Sequence, residues 1–194
     1  MVNYPNKKIV KNTQDTSYGN RGMSFEKELN ESNKYYKANN LALIHKKPTP
    51  LQIVKVDYPK RAKAVVREAY FQSPSTTDYN GVYRGRYIDF EAKETNSKTS
   101  FPIQNIHVHQ IEHIKQVIDL GGIAFILIKF SCLNKIFLLD GMSLFDCYQD
   151  SLKGGKKSLG IKYLLEQAHL IEKNIIFTTD YLHTVNQVYF NENS

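Results

Sequence analysis

The sequence predicts an α/β domain in which a mixed central β-sheet is flanked by helices. Residues 123–130 (IAFILIKF) form an almost wholly apolar run, which is typical of a buried central strand. Residues 87–93 alternate between apolar and polar side chains, which is the pattern of a strand. Helical patterns alternate with these strands, and this order indicates the α/β class. A chain of 194 residues is long enough for one such domain but not for two.

The N-terminal part of the chain predicts a tail, a helix and a short strand. Residues 1–20 are polar and show no periodicity, so we expect a mobile basic tail ahead of a folded domain that comprises residues 21–194. From Met23 we expect a helix whose apolar side comprises Phe25, Leu29 and Tyr36. Residues 41–45 predict a short strand.

A longer helix is expected over residues 103–120, where Gly121 and Gly122 end it. Its buried stripe is marked by Ile106, Ile114 and Val117. Gln110 interrupts this stripe, and a polar side chain there must find partners or cost stability. Two interpretations stay open: a core glutamine bonded to neighbouring backbone, or a glutamine that points into the charged end of the sheet.

Further elements are expected after the central strand. Residues 135–139 predict another strand, and a helix is expected from about Ser143. Ser158 is a suitable N-cap for a helix that extends through Gln167. Residues 175–190 are mixed in pattern and predict no single element.

The composition favours a soluble protein with a polyanionic partner. The chain has 26 basic and 19 acidic side chains, with a formal net charge of +7 and a pI near 9.2. Its only cysteines, Cys132 and Cys147, argue against a disulfide framework and favour a reducing cytoplasm. The longest apolar run, residues 121–130, is too short to span a bilayer, so no membrane association is expected.

Residues 46–74 are strongly basic, and Pro48, Pro50 and Pro59 break any long helix within them. Only Asp57 and Glu68 oppose a set of cations that comprises Lys46, Lys47, Lys55, Lys60, Arg61, Lys63 and Arg67. Aromatic side chains are interleaved with these charges, and this mixture suits nucleic acid, because cations meet phosphates and rings stack on unpaired bases. The alternative is a solvated connection. The N-terminal tail likewise allows two interpretations, an arm that touches DNA or a frayed terminus.

The most informative segment is residues 76–93 (TTDYNGVYRGRYIDFEAK). Period-two alternation puts Asp89, Glu91 and Lys93 on one face of a strand and Ile88, Phe90 and Ala92 on the other.

Two turns could precede this strand. A turn at Asn80-Gly81 would leave Asp78 roughly 26 Å from Glu91. A turn at Arg84-Gly85 would set Asp78 directly opposite Glu91, with Cβ atoms ~5 Å apart. We predict the second register, and with it a bulge or bend at Asn80-Gly81.

Two opposed carboxylates beside a lysine are suited to phosphodiester chemistry. Carboxylate oxygens are good ligands for Mg²⁺, which lowers the pKa of a water and polarises a scissile phosphate. Lys93 is placed to orient that water or to neutralise charge in the transition state. The structural alternative is that Asp78 and Glu91 form ordinary surface ion pairs with Arg86 and Lys93.

Two other patterns are weaker. His109 and His113 are one helical turn apart near His107, but no cysteine ligand is close, so surface or capping roles are favoured over a zinc site. Residues 154–158 (GGKKS) lack the GxxxxGK spacing of a phosphate loop, and a flexible basic turn is favoured.

Asp78 and Glu91-Ala92-Lys93 resemble the active-site motif of the PD-(D/E)xK nuclease superfamily, although Thr77 stands where that motif has proline. Over a longer span the chain resembles the RecU family of Holliday junction resolvases. The resemblance runs from Asn20 to the strand after Gly122, through NRGMSFEKELNESNKYY, IHKKPTPLQIVKVDYPKRAKAVVREAYF, STTDYNGVYRGRYIDFEAKET and TSFPIQNIHVHQIEH. The C-terminal third is less similar.

This resemblance implies a restriction-endonuclease-like fold and a set of roles. It implies Mg²⁺ ligation by Thr76, Asp78, Glu91 and Gln110, with Lys93 stabilising the transition state. It also implies that residues 46–72 form a protruding stalk that enters the junction centre, with Arg61 among its contacts. It further implies a symmetric homodimer that interacts with the RecA recombinase and with a branch-migration helicase.

The expected function is therefore a Mg²⁺-dependent, structure-selective endodeoxyribonuclease. It would resolve four-way DNA junctions by symmetric paired nicks that leave 5′ phosphates, in homologous recombination and DNA repair. Two alternatives stay open. One is a restriction-type nuclease that cuts linear duplex, and the other is a non-catalytic protein that binds junctions or modulates the recombinase.

Overall fold

The computed structural model describes residues 19–57, 65–71, 76–172 and 179–191. Within these ranges the helices are α1 Gly19–Ala38, α2 Val108–Asp119, α3 Gly141–Leu152, α4 Ile161–Gln167 and α5 Tyr181–Tyr189. The strands are β1 Leu43–Lys46, β2 Leu51–Asp57, β3 Val65–Phe71, β4 Tyr79–Tyr83, β5 Arg86–Thr95, β6 Ser100–Pro102, β7 Ile123–Phe130, β8 Lys135–Asp140, β9 Ser158–Gly160 and β10 His169–Leu170. The expected tail, except for its last two residues, lies outside the described residues.

The main sheet has six strands in the order β1-β4-β5-β7-β8-β10. Only β5 and β7 are parallel to each other, and the other neighbours in this sheet pair antiparallel. Helices cover both of its faces, so the predicted class, a mixed sheet flanked by helices, is confirmed. Two small two-stranded sheets, β2-β3 and β6-β9, accompany it.

Each face of the sheet has its own hydrophobic core. On one face α1 and α5 pack against Ile88, Phe90 and Phe125. On the other face α2, α3 and α4 pack against Ile126 and Ile128. Every residue of β7 is buried because this strand lies between both cores, which explains its apolar run. No helix in the described part of the chain is long and apolar enough to cross a membrane.

Residues 51–57 and 65–71 of the predicted stalk form an antiparallel ribbon. Leu51, Ile53 and Tyr70 are more than half exposed, so no hydrophobic core within the described part of the chain covers them. The charged residues Lys60, Arg61 and Lys63 lie outside the described residues. The two-stranded form follows from the rich content of β-branched and aromatic residues, which favours strands over helix.

Two local predictions are wrong, and one unassigned segment proves to be helical. The helix expected from residue 103 begins at Val108, because residues 103–105 form a separate short 3₁₀ turn and His107 has extended backbone. Ser158 does not cap a helix. It begins β9, and the helix starts after Gly160. The segment for which no element was predicted contains α5, whose N-cap Asp180 accepts a hydrogen bond from the His183 N–H.

The bulge expected at Asn80-Gly81 is also absent. The pairing of β4 with β5 continues without a shift through both residues. Gly81 has a different function, since it pairs with Ile44 of β1. A Cβ at this position would lie 2.0 Å from the Leu43 carbonyl oxygen, so glycine permits the close approach of β1.

Candidate active site

The hairpin between β4 and β5 aligns the two candidate acids. Arg84 and Gly85 both have positive φ, 49° and 78°, as a two-residue hairpin turn requires. The register runs from Tyr83 opposite Arg86 to Tyr79 opposite Phe90. The next pair in this register is Asp78 and Glu91. The predicted register is therefore confirmed, and both carboxylates lie where β4 begins.

Glu91 is the centre of this arrangement. Its side chain is fully buried, and its Oε2 accepts a hydrogen bond of 3.1 Å from the Asp78 N–H. The Lys93 Nζ lies 2.6 Å from Glu91 Oε1, and the lysine side chain is about one-fifth exposed, at 21%. The surface ion pair considered as an alternative is therefore only half correct, since Glu91 does pair with Lys93 but lies in the protein interior.

The local electrostatics favour a cation beside Glu91. Burial first, and then the neighbouring Asp78 carboxylate, raise the pKa of Glu91 to about 7. The Lys93 ammonium lowers this pKa but does not fully offset the other effects. Two carboxylates so close repel each other when both are ionised, and a bound cation would remove that repulsion.

Helix α2 lies against the face of β5 that carries Glu91. His113 Nε2 lies 3.2 Å from Asp89 Oδ2, and the charge of Lys93 contributes to the lowered pKa of His109, after burial and His107. The helix connects the parallel strands β5 and β7 and therefore runs antiparallel to β5. Gln110 is buried, and its Oε1 accepts a hydrogen bond of 3.1 Å from the His107 N–H. This bond matches the first of the two open interpretations, a buried glutamine bonded to neighbouring backbone, and the second stays a prediction.

Thr76 lies beside Asp78 at the edge of a small cavity. This cavity, of about 210 Å³, is also lined by Lys46 and Lys47. A second cavity of about 200 Å³ reaches Asp78 from the side of α1. Within the described ranges no group of three or more His, Cys, Asp or Glu side chains converges as a metal site.

A second buried network, which sequence reasoning did not predict, surrounds Asp89. This carboxylate is fully buried, and Lys47 Nζ lies 2.7 Å from its Oδ2. Its other partners are Thr77, Tyr87 and His113. The strand alternation had put Asp89 on the same face as Glu91. An acidic residue at this position of a buried strand needs partners, and this was the signal that could have predicted the network.

The described DNA-binding candidates differ in their surroundings. Lys46 forms an ion pair of 2.6 Å with Glu26, and Lys47 is occupied by Asp89. Arg67 Nε lies 2.6 Å from Asp57 Oδ2 across the ribbon, where both side chains are exposed. Lys55 is exposed on β2. Exposed pairs of this kind are weak, so Arg67 can exchange its partner for a phosphate, whereas Lys47 cannot do so without leaving a buried charge.

We expect the stability of the metal-free protein to depend on pH through the ionisation of Glu91. Its pKa is about 7 in the folded chain against an ordinary 4.5, so folding favours the protonated carboxyl. The stability that the protonated Glu91 carboxyl contributes is therefore fully present below pH 4.5. It is lost as the pH rises from there through 7, by up to about 1.4 kcal/mol per pH unit. Thermal unfolding in chelator at pH 5 to 8 measures this loss. Glu91→Gln should flatten the curve, and an unchanged curve would contradict the assignment.

Comparisons with known proteins identify the family of this chain. The family model described as Recombination protein U matches residues 20–187. A Bacillus cytotoxicus protein named Holliday junction resolvase RecU is 58% identical over 174 residues, which cover 90% of this chain and 87% of that protein. A Bacillus cereus protein of the same name is 56% identical over the same shares.

One similar solved structure is that of Archaeoglobus fulgidus Hjc, a Holliday junction resolvase from an archaeal hyperthermophile. The match covers 62% of this chain and 78% of the Hjc chain. Its TM-score is 0.37 and its sequence identity is 12%. The sequence matches cover both acids, Lys93 and the whole hairpin that aligns them. The chain belongs to the Recombination protein U family.

Proposed function

We propose that this protein is a Mg²⁺-dependent endodeoxyribonuclease that resolves Holliday junctions by symmetric paired nicks in recombination and repair. The observation that carries the proposal is the convergence of Asp78, Glu91 and Lys93 at the open end of the β4-β5 hairpin, in a member of this family. The names of the relatives supply the substrate class.

The residues present fit a divalent cation of the hard type. Asp78 and Glu91 would hold it, with oxygen atoms of Thr76 and Gln110 as further ligands. The pKa of Glu91, raised to about 7 by burial and by Asp78, is the structural sign that negative charge at this point lacks compensation. When bound, Mg²⁺ supplies Lewis acidity toward a phosphate oxygen and makes a water more acidic.

Lys93 contributes a positive charge that does not depend on the metal. Its Nζ is held by Glu91 Oε1 at 2.6 Å, so the ammonium has a defined position beside the acids. A fixed cation at this position stabilises the negative charge that develops on the phosphate in the transition state. Glu91 thereby both ligates the metal and positions the lysine.

We also propose that the protein acts as a cytoplasmic homodimer. A two-fold dimer presents two equivalent sites to strands of like polarity, as paired nicking of a four-way junction requires. Residues 46–72 would act as a stalk within the nuclease domain 21–194, and Lys55, Lys60, Arg61, Lys63 and Arg67 would contact junction DNA. The RecA recombinase and a branch-migration helicase are proposed protein partners.

Strand cleavage of a synthetic mobile four-way junction tests the proposed function. Each strand is end-labelled in turn, and linear duplex of the same sequence is the control. We expect paired nicks at symmetric positions in the junction, with 5′ phosphates that ligase can seal, and no cleavage in chelator.

Other outcomes would contradict the proposal. Equal cleavage of the linear duplex at a defined site would indicate a restriction-type nuclease. Junction binding without cleavage at any Mg²⁺ concentration would indicate a non-catalytic junction-binding protein.

A further inference from the structure

A basic turn that follows the C-terminus of α3 takes no part in the candidate active site. We call residues 153–157 (KGGKK) the lysine turn. With Lys162 it places four lysines against a single acidic residue, Asp150, between positions 150 and 163. Three of these lysines line a groove of about 690 Å³ together with the Ser158 side chain, namely Lys153, Lys156 and Lys162.

The backbone gives the lysine turn a defined conformation. Gly154 has a φ of +93°, and the Gly155 N–H donates a 2.8 Å hydrogen bond to the Asp150 carbonyl at the end of α3. A Cβ on Gly155 would lie 2.7 Å from that carbonyl oxygen. Both glycines are therefore needed for the tight chain reversal that presents the lysines. The flexible turn expected from the sequence is instead a closely bonded one.

The lysine turn is joined directly to the segment that links the active-site elements. The Lys157 carbonyl accepts a hydrogen bond of 3.1 Å from the Ile103 N–H, and β9 pairs with β6. Segment 100–105 follows β5, which carries Glu91 and Lys93, and leads to α2, which carries Gln110. Lys157 and His107 both line a second groove, of about 530 Å³. This groove thus extends from the lysine turn to the N-terminus of α2.

The chemistry of this surface favours the backbone of duplex DNA. All four lysines are exposed, and none forms an ion pair within the described part of the chain. The one aromatic ring that lines the larger groove, Tyr163, has its hydroxyl 3.0 Å from Cys147 Sγ. The lysines offer charge for phosphates, while the groove offers little for stacking unpaired bases or for reading base edges.

We propose that the lysine turn and Lys162 form a second DNA-contacting surface, which holds the phosphate backbone of a duplex arm of the junction away from the scissile phosphate. This inference rests on the proposed junction-resolving function and adds to it a contact outside the stalk strands. The surface contributes affinity and arm orientation, not chemistry.

The experiment compares two triple variants with the wild type. One is Lys153→Gln, Lys156→Gln and Lys157→Gln. The matched control is Lys27→Gln, Lys34→Gln and Lys37→Gln, which removes the same charge from α1 on the other face of the sheet. Junction affinity is measured by fluorescence anisotropy in chelator over a range of salt. For the first variant we expect affinity to fall at least about tenfold, with the salt slope reduced by roughly 0.9 per lost phosphate contact.

A series of junctions with shortened arms provides the second readout. The affinity difference between the first variant and the wild type should vanish once the arms are too short to reach the turn. Unchanged affinity and slope, or equal losses in the control variant, would overturn the proposal. If the glutamine variant unfolds early, a triple arginine variant at the same positions should bind as the wild type does, and failure to do so would also overturn it. Failure of the wild type to cut any junction would instead refute the proposed function.

Discussion

Asp78→Asn is expected to abolish junction cleavage while leaving junction binding intact. The substitution keeps the shape of the side chain but removes one of two opposed carboxylates, and with it half of the charge available to a cation. The loss of one such electrostatic contact in a site of this kind costs a hundredfold to about a thousandfold in rate. Binding should persist or improve slightly, because a negative charge near the DNA phosphates is removed.

Cleavage rates under single-turnover conditions and junction affinity in chelator separate the two effects. Asp119→Asn is the matched control, since Asp119 is an exposed residue at the end of α2 that pairs only with Lys115 in the described structure. The control should cleave as the wild type does. Equal losses of binding and cleavage in Asp78→Asn, with a lowered melting temperature, would mean that Asp78 stabilises the fold.

Lys47→Met is expected to destabilise the protein by about 3–5 kcal/mol. The ammonium lies 2.7 Å from Asp89 Oδ2 and 3.0 Å from Thr77 Oγ1, while the Asp89 side chain is fully buried. Methionine fills similar space but leaves the buried carboxylate without its closest cation. For a chain of this size the melting temperature should fall on the order of 10 °C.

A double-mutant cycle tests the Lys47 prediction. Asp89→Asn removes the charge that Lys47 compensates, so the combined variant should recover much of the stability lost in Lys47→Met. The coupling energy between the two positions is the quantity of interest. If Lys47 were instead a DNA contact, as the sequence predicted, Lys47→Met would melt like the wild type and would bind junctions less tightly. Lys55→Met on the exposed ribbon is the control for loss of one basic charge.

The site was predictable where local rules govern it. The register of β4 on β5 depends on a turn between adjacent strands, and period-two alternation then decides which side chains share a face. Asp78, Glu91 and Lys93 follow from these two facts alone. The turn was correctly placed at Arg84-Gly85 although Asn-Gly is the stronger compositional signal, because only that register made the two acids converge.

The errors arise where distant residues decide the outcome. Gly81 suggested a bulge, but the close approach of β1, far earlier in the chain, requires a residue without a Cβ. Helix α2 begins five residues later than its apolar pattern indicated, since Ile103 and Ile106 are buried from a 3₁₀ turn and extended backbone instead of a helix. Apolar spacing records burial, and several backbone conformations can bury the same side chains.

The class of the fold, the acidic pair with its lysine and the basic character of the surface could all be predicted from the sequence. These depend on neighbouring residues and on total charge. Which of the other cations are free was settled by the fold. It pairs Lys47 with Asp89 and Lys46 with Glu26, and it leaves the lysine turn exposed. Charge pairing is a short-range interaction between residues distant in the chain, so it is settled only when the fold brings them within a few ångströms.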